Sequence, residues 1–186
     1  MNVLIVDDDR FVVSALEKKI EWESLGITEV FIAYSLKQAQ DIFAAHTINL
    51  LISDIEMPKG SGLYLLSWLR CEGNRVQVIF LTNHADFHYA QKAIALQSFE
   101  YCLKPIEFDK LSLIIRKAVE KIEKEILQTE RAKQTEFLEV HQTRLLENYW
   151  QGLLHGTVSA PVPSIAERFY LVFISCFPYY LEGNEI

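Results

Sequence analysis

The first 106 residues alternate between two periodicities, and that alternation constrains the fold more than any other feature of the chain. Short apolar runs, several rich in β-branched residues, lie at Val3–Val6, Val30–Ala33, Leu50–Ser53, Val76–Leu81 and Phe99–Leu103. Several are apolar throughout, which is the pattern of strands covered on both faces in a parallel sheet. Between them lie amphipathic stretches of helical length at 10–24, 36–45, 62–71 and 86–96. The first places Phe11, Leu16 and Ile20 at helix-like spacing, and the second puts Leu36, Ala39, Ile42 and Phe43 on one side. Five runs alternating with helices predict an α/β fold, a doubly wound five-stranded parallel sheet with right-handed crossovers. Such sheets bind ligands beyond the carboxyl ends of their strands. The residues just after each run therefore carry the functional information.

The texture changes after Pro105. From about Glu107 to Leu154 there is no proline, Gly152 is the only glycine, and helix formers dominate. This predicts a helix on the order of 70 Å long. Ile115, Val119, Ile122 and Ile126 form a heptad-like seam, which weakens at Thr129, Lys133 and Glu136 and resumes through Phe137, Val140, Leu145, Tyr149 and Leu153. The favoured reading is a parallel two-stranded coiled coil with a stutter near 129–136. The competing reading is a terminal helix packed back on its own domain. Gly156, Pro161 and Pro163 mark a linker, and Phe169–Phe177 reads as one strand. A lone strand makes no domain, so the expectation is the N-terminal part of a longer protein.

The strand ends carry the chemistry. The first run ends in Asp7-Asp8-Asp9, the third in Asp54, the fourth in Thr82, and the fifth is followed by Lys104-Pro105. Convergence of these ends would place carboxylates, a hydroxyl and an ammonium in one pocket. Clustered carboxylates cannot all ionise without a raised pKa or a neutralising cation. Mg²⁺ takes oxygen ligands and usually keeps waters and a phosphate. A carboxylate is also a competent nucleophile toward phosphorus. Asp9 reads more readily as the cap of the first helix than as a metal ligand. The five histidines show no ligand spacing, and Cys102 reads as core.

Val6-Asp7-Asp8, Ser53-Asp54-Ile55-Glu56-Met57-Pro58, Leu81-Thr82 and Tyr101-Cys102-Leu103-Lys104-Pro105 together resemble the receiver domain of two-component response regulators, over about residues 1–122. The resemblance implies a flavodoxin-like fold and phosphoryl transfer from a histidine kinase to Asp54. It implies Mg²⁺ held by Asp7, Asp8, Asp54 and the Glu56 backbone carbonyl. Thr82 and Tyr101 would be switch residues, Lys104 would contact the phosphoryl oxygens, and the bond to Pro105 would be cis. Such a protein phosphorylates and dephosphorylates itself as a switch and is not a turnover enzyme.

The stretch Thr82–Ala93, the long helix and Tyr149–Leu154 further resemble AraC-type DNA-binding response regulators. Their paired helix-turn-helix motifs have no counterpart here, so DNA binding is expected only through a C-terminal domain absent from this chain. Asp9 replaces the subfamily's usual Glu. Asn83 stands where many receivers have a small residue and is a candidate for narrowing access to Asp54. Glu56 and His84 are candidates for tuning dephosphorylation. The chain thus divides into a receiver core at 1–106, a dimerisation and signalling helix at 107–154, and at 155–186 a linker and the start of a further domain. A homodimer through the long helix is expected.

Two other functions compete. Asp7-x-Asp9 also fits a phosphohydrolase of the haloacid-dehalogenase type, although no later acidic pair and no cap insertion support it. A receiver-like dimerisation scaffold that is never phosphorylated is the other. The net charge is −7 and no part is basic enough to look like a DNA-binding domain, which argues against this stretch binding a phosphate backbone. Three widely spaced cysteines fit a reducing cytosol. The acidic N-terminus is no signal peptide, and no apolar run approaches the ~18 residues that span a bilayer. The expected location is cytoplasmic, with no membrane partner.

Overall fold

The computed structural model describes residues 1–58, 60–83, 86–105 and 107–155. Side chains at 136, 138–143, 145–150 and 152–154 are outside the described set, as are the predicted linker at 156–164, the strand at 169–177 and His84. The chain divides into two units, Met1–Leu127 and Gln128–Ile186.

In the first unit, β1 (Asn2–Val6), β2 (Glu29–Ala33), β3 (Leu50–Asp54), β6 (Gln77–Thr82) and β7 (Glu100–Leu103) form one sheet in the order β2-β1-β3-β6-β7. Every pairing in it is parallel. A short antiparallel hairpin, β4 (Glu56–Met57) and β5 (Gly60–Ser61), follows β3. The helices are α1 (Arg10–Lys19), α2 (Leu36–Ala45), α3 (Gly62–Cys71), α4 (Phe87–Ala95) and α5 (Phe108–Leu154). The doubly wound five-stranded sheet of the sequence reading is the architecture found.

The continuous apolar runs follow from coverage of both faces. Successive strand residues point to opposite sides, and the core splits accordingly. Val3, Ile5, Leu50, Ile52, Ile79 and Leu81 pack with Val13 and Leu16 of α1 and with α5. Leu4, Val6, Leu51, Val78 and Phe80 pack with α2, α3 and α4. Neither side can be polar, so no alternation remains to be read.

Four helices begin on side-chain caps, α3 among them, where the Ser61 hydroxyl accepts from the Leu63 amide at 3.2 Å. Asp9 accepts from the Phe11 amide at 2.8 Å, Ser35 from Gln38 at 3.3 Å and Asp86 from His88 at 2.7 Å. The first helix is shorter than its expected range of 10–24. It ends at Lys19, Ile20 is extended, and a 3-10 turn occupies Glu23–Leu25. Trp22, Leu25 and Ile27 lie buried in the same cluster as Ile20, and a straight helix could not deliver all four to one core.

The proposed dimer seam needs correction. Ile115 is fully buried, Val119 and Ile122 are nearly so, and all three pack with Leu111 and Ala118 into the core beside β1, β3 and β6. Only Ile126 of that seam is exposed, at 42%. A 4-3-4 stripe suits a sheet face as well as a partner helix, and here the sheet takes it. Accordingly the first unit continues past residue 106 to Leu127. In the second unit the described residues are helical as far as Leu154.

Candidate functional site

The parallel sheet brings the C-terminal ends of β1, β3, β6 and β7 together. Asp7 directly follows β1, and its amide still bonds the Ala33 carbonyl of β2 at 3.2 Å. Asp54 is the last residue of β3 and lies in register with Leu81. Thr82 ends β6 in register with Leu103, and its carbonyl accepts from the Lys104 amide at 2.7 Å. The Lys104–Pro105 peptide bond is cis.

Lys104 is the electrostatic centre. Its Nζ donates to Asp7 Oδ2 at 2.8 Å and to Asp54 Oδ2 at 2.7 Å. The other oxygens are held by backbone. Asp7 Oδ1 accepts from the Asp9 amide at 2.9 Å, and Asp54 Oδ1 from the Glu56 amide at 3.2 Å. Asp7 and Asp54 are buried and Asp8 is exposed. Burial pushes the Asp7 carboxyl above its ordinary value, although the Lys104 hydrogen bond opposes it. Burial pulls the Lys104 ammonium down, but its bonds to Asp54 and Asp7 and their charges outweigh this and leave it raised.

Carboxylate oxygens of Asp7, Asp8 and Asp54 lie within 4.8 Å of one another. An all-oxygen donor set of this kind fits a hard divalent cation. Asp9 is not part of the group. Its carboxylate caps α1 through Phe11, so the phosphohydrolase reading of the Asp7-x-Asp9 pattern is not favoured.

Thr82 is completely buried, Tyr101 on β7 is half-buried against the α3 and α4 side of the core, and Asn83 is exposed. Glu56 is exposed, and its Oε1 accepts from the Tyr89 hydroxyl of α4 at 2.8 Å. That bond and the Glu56 charge raise the Tyr89 phenol above its ordinary value.

Two residues at the site were not legible as functional. Tyr89 sits in the Thr82–Ala93 stretch, yet no spacing tells which carboxylate a helix-borne hydroxyl will meet. Gly62 opens α3 against the end of β3, where a Cβ would overlap the Asp54 carbonyl oxygen and come within 2.7 Å of Ser53 Oγ. Its place in the turn after Asp54-Ile55-Glu56-Met57-Pro58 was the available signal.

Residues 3–116 match the family model of the response regulator receiver domain. The chain belongs to that family, a group of signalling domains. Over 169 residues it is 25% identical to the transcriptional regulatory protein YesN of Bacillus subtilis, covering 90% of this chain and 46% of YesN. Over 110 residues it is 34% identical to the transcriptional regulatory protein MalR of the same organism, covering 59% of this chain and 46% of MalR. The chain thus spans about half the length of the curated relatives it matches. Among solved structures, the receiver domain of AraT, a response regulator from Geobacillus stearothermophilus, superposes with a TM-score of 0.61 at 32% identity, covering 67% of this chain and 96% of that one.

Proposed function

We propose that this chain is the phosphorylation-switched part of a cytoplasmic two-component response regulator, and that Asp54 accepts a phosphoryl group from a histidine kinase. The observation that carries the reading is the Lys104 ammonium bonded to both Asp7 and Asp54 beside the grouped carboxylates. An oxygen of Asp54 attacks phosphorus, and the phosphorus–nitrogen bond to the kinase histidine breaks as the P–O bond forms. Lys104 then follows the new charge onto the phosphoryl oxygens. The Thr82 hydroxyl donates to the same group, and Tyr101 changes rotamer with it, biasing a two-state equilibrium. Asp7, Asp8, Asp54 and the Glu56 carbonyl would hold Mg²⁺, which when bound neutralises charge building on the transferring group. The chain turns over no external substrate beyond its own phosphorylation and dephosphorylation.

The output we propose is transcriptional, through a DNA-binding domain outside this chain. Support comes from the relatives' descriptions as transcriptional regulators and from the net charge of −7 here. Homodimerisation remains part of the reading, but Ile115, Val119 and Ile122 are committed to the core. We assign contact with a second copy to the helix from Ile126 and Leu127 onward, both of which are exposed.

The test is intact mass after incubation with Mg²⁺ and a phosphorylated histidine kinase. One phosphoryl group is expected on the native chain and none on Asp54→Asn. Phosphorylation that survives in Asp54→Asn, or none on the native chain, overturns the proposal.

A further inference from the structure

Among the described residues the buried polar side chains are Asp7, Ser53, Asp54, Thr82 and Gln77. The first four lie at or next to the carboxyl edge of the sheet, around the candidate site. Gln77 opens β6 at the opposite edge. A buried carboxamide costs stability unless both its ends are bonded, and here both are bonded to one helix. Gln77 Nε2 donates to Glu125 Oε2 at 3.2 Å and to Oε1 at 3.4 Å, and Gln77 Oε1 accepts from Lys121 Nζ at 3.1 Å. The Lys121 ammonium also lies 3.9 Å from Glu125 and 5.6 Å from the centre of the Phe99 ring, just before β7. Ile122 is the last buried apolar residue described on α5, and Ile126 and Leu127 are exposed. Glu125 stands one turn beyond Ile122. Gln77 thus extends the hold of the sheet on α5 by a turn past its apolar contacts.

We infer that Gln77 is a clamp with two settings, and that it decides how far α5 belongs to the sheet. Closed, it holds the helix through Glu125. Open, it leaves the hold ending at Ile122 and gives one more turn to the stretch that carries Ile126 and Leu127. Two settings follow from the chemistry of the contacts. The Lys121 and Glu125 side chains are each 48% exposed, so water can take the place of Gln77 as their partner, and the net strength of such bonds is modest. Val119 and Ile122 are buried in the apolar cluster, where water offers no substitute. The turn beyond Ile122 is therefore the first part of the helix in this unit to let go. Where the helix meets a second copy, as proposed above, the clamp sets the first turn on offer. The clamp itself concerns the first unit alone and does not depend on Asp54 as phosphoacceptor.

The experiment is amide hydrogen exchange of the whole chain, resolved along α5 by mass spectrometry. It compares the native protein with Gln77→Met, Gln77→Glu, Glu125→Gln and the exchanged pair Gln77→Glu/Glu125→Gln. Met fills much the same space without the hydrogen bonds. Gln77→Met is expected to speed exchange at 123–127 by about tenfold or more, the ratio that hydrogen bonds to a charged group supply. The amides at 111–119, which open only with the core, should speed up distinctly less. Gln77→Glu sets a carboxylate against Glu125 and should speed the same amides at 123–127. The exchanged pair again faces a donor with an acceptor, so exchange there should be slower than in Gln77→Glu alone, a rescue that a merely space-filling Gln77 would not show. Glu125 has a further interaction of its own, altered alike in Glu125→Gln and in the exchanged pair, so the coupling between the two substitutions isolates their contact. An unchanged rate at 123–127 in Gln77→Met, an equal acceleration at 111–119, or no rescue by the exchanged pair would each overturn the inference. A native chain that takes no phosphoryl group overturns the phosphoacceptor reading and leaves the clamp standing.

Discussion

Replacing Ile115 by Ala separates a core helix from a dimer seam. Ile115 is 0% exposed and packs among Ile5, Leu16, Ile52 and Leu81 on the sheet face it covers. The substitution removes three buried carbons, worth about 2.4 kcal/mol at about 0.8 kcal/mol each. The cavity left behind adds to this, giving roughly 3–4 kcal/mol in total, inside the usual range of about 2–5 kcal/mol. Ile126 is already 42% exposed, so Ile126→Ala should cost about 1 kcal/mol or less. The assay is urea unfolding followed by tryptophan fluorescence in a Trp150→Phe background, so that Trp22 and Trp68 report on the first unit. Trp22 lies in the same cluster as Ile115. The loss caused by Ile115→Ala relative to the native chain should be the same at two widely separated protein concentrations, because an intramolecular core loses stability independently of concentration. Equal losses for the two variants, or an Ile115→Ala loss relative to the native chain that changes with concentration, would refute the assignment of this stripe to the core.

Lys104→Ala should leave the fold intact yet lower phosphorylation of Asp54 by about a hundredfold or more, as removal of a preorganised charge-stabilising donor does; this is read by intact mass against time. The raised Lys104 ammonium also sets a pH dependence. Its contribution to stability is complete below the unfolded lysine value of about 10.4 and is lost as pH rises through the higher folded value. Urea midpoints across that alkaline window should therefore fall in the native chain and fall less in Lys104→Met. Gly62→Ala must move the Asp54 backbone, since the Cβ meets the Asp54 carbonyl and not a flexible side-chain tip. A stability loss of about 1–3 kcal/mol, together with slowed phosphorylation, is expected from urea midpoints and intact mass. Burial pushes the Cys102 thiol up to about 11, so roughly one molecule in a thousand carries the thiolate near pH 8. Peptide mapping after brief iodoacetamide treatment should find exposed Cys71 alkylated and Cys102 spared; equal labelling in the folded protein would contradict this.

The strand runs were legible to within about a residue, as Val30–Ala33 against the observed Glu29–Ala33 shows, and the 36–45 and 62–71 helices coincide with α2 and α3. Periodicity succeeds there because each element has one kind of environment along its length. It failed at 20–25, where Ile20, Trp22 and Leu25 reach one cluster by breaking the helix. At the site, Asp7, Asp54, Thr82 and Lys104 were recognisable because each sits at a strand end that parallel topology forces to one edge. Tyr89 was not, because its partner lies 33 residues away with α3 and β6 between them.

The sequence by itself determined the order of elements, the parallel sheet and the identity of the residues at its carboxyl edge. Those follow from local periodicity and from a connection rule, and both act along the chain. Tertiary structure alone decided which surface covers the Ile115–Ile122 stripe and which carboxylates share the Lys104 ammonium, whereas the Asp9 cap was already legible in the sequence. An apolar stripe or a charged group specifies what it needs, a dry neighbour or an opposite charge. It does not specify which neighbour, and only the packed chain brings one within reach.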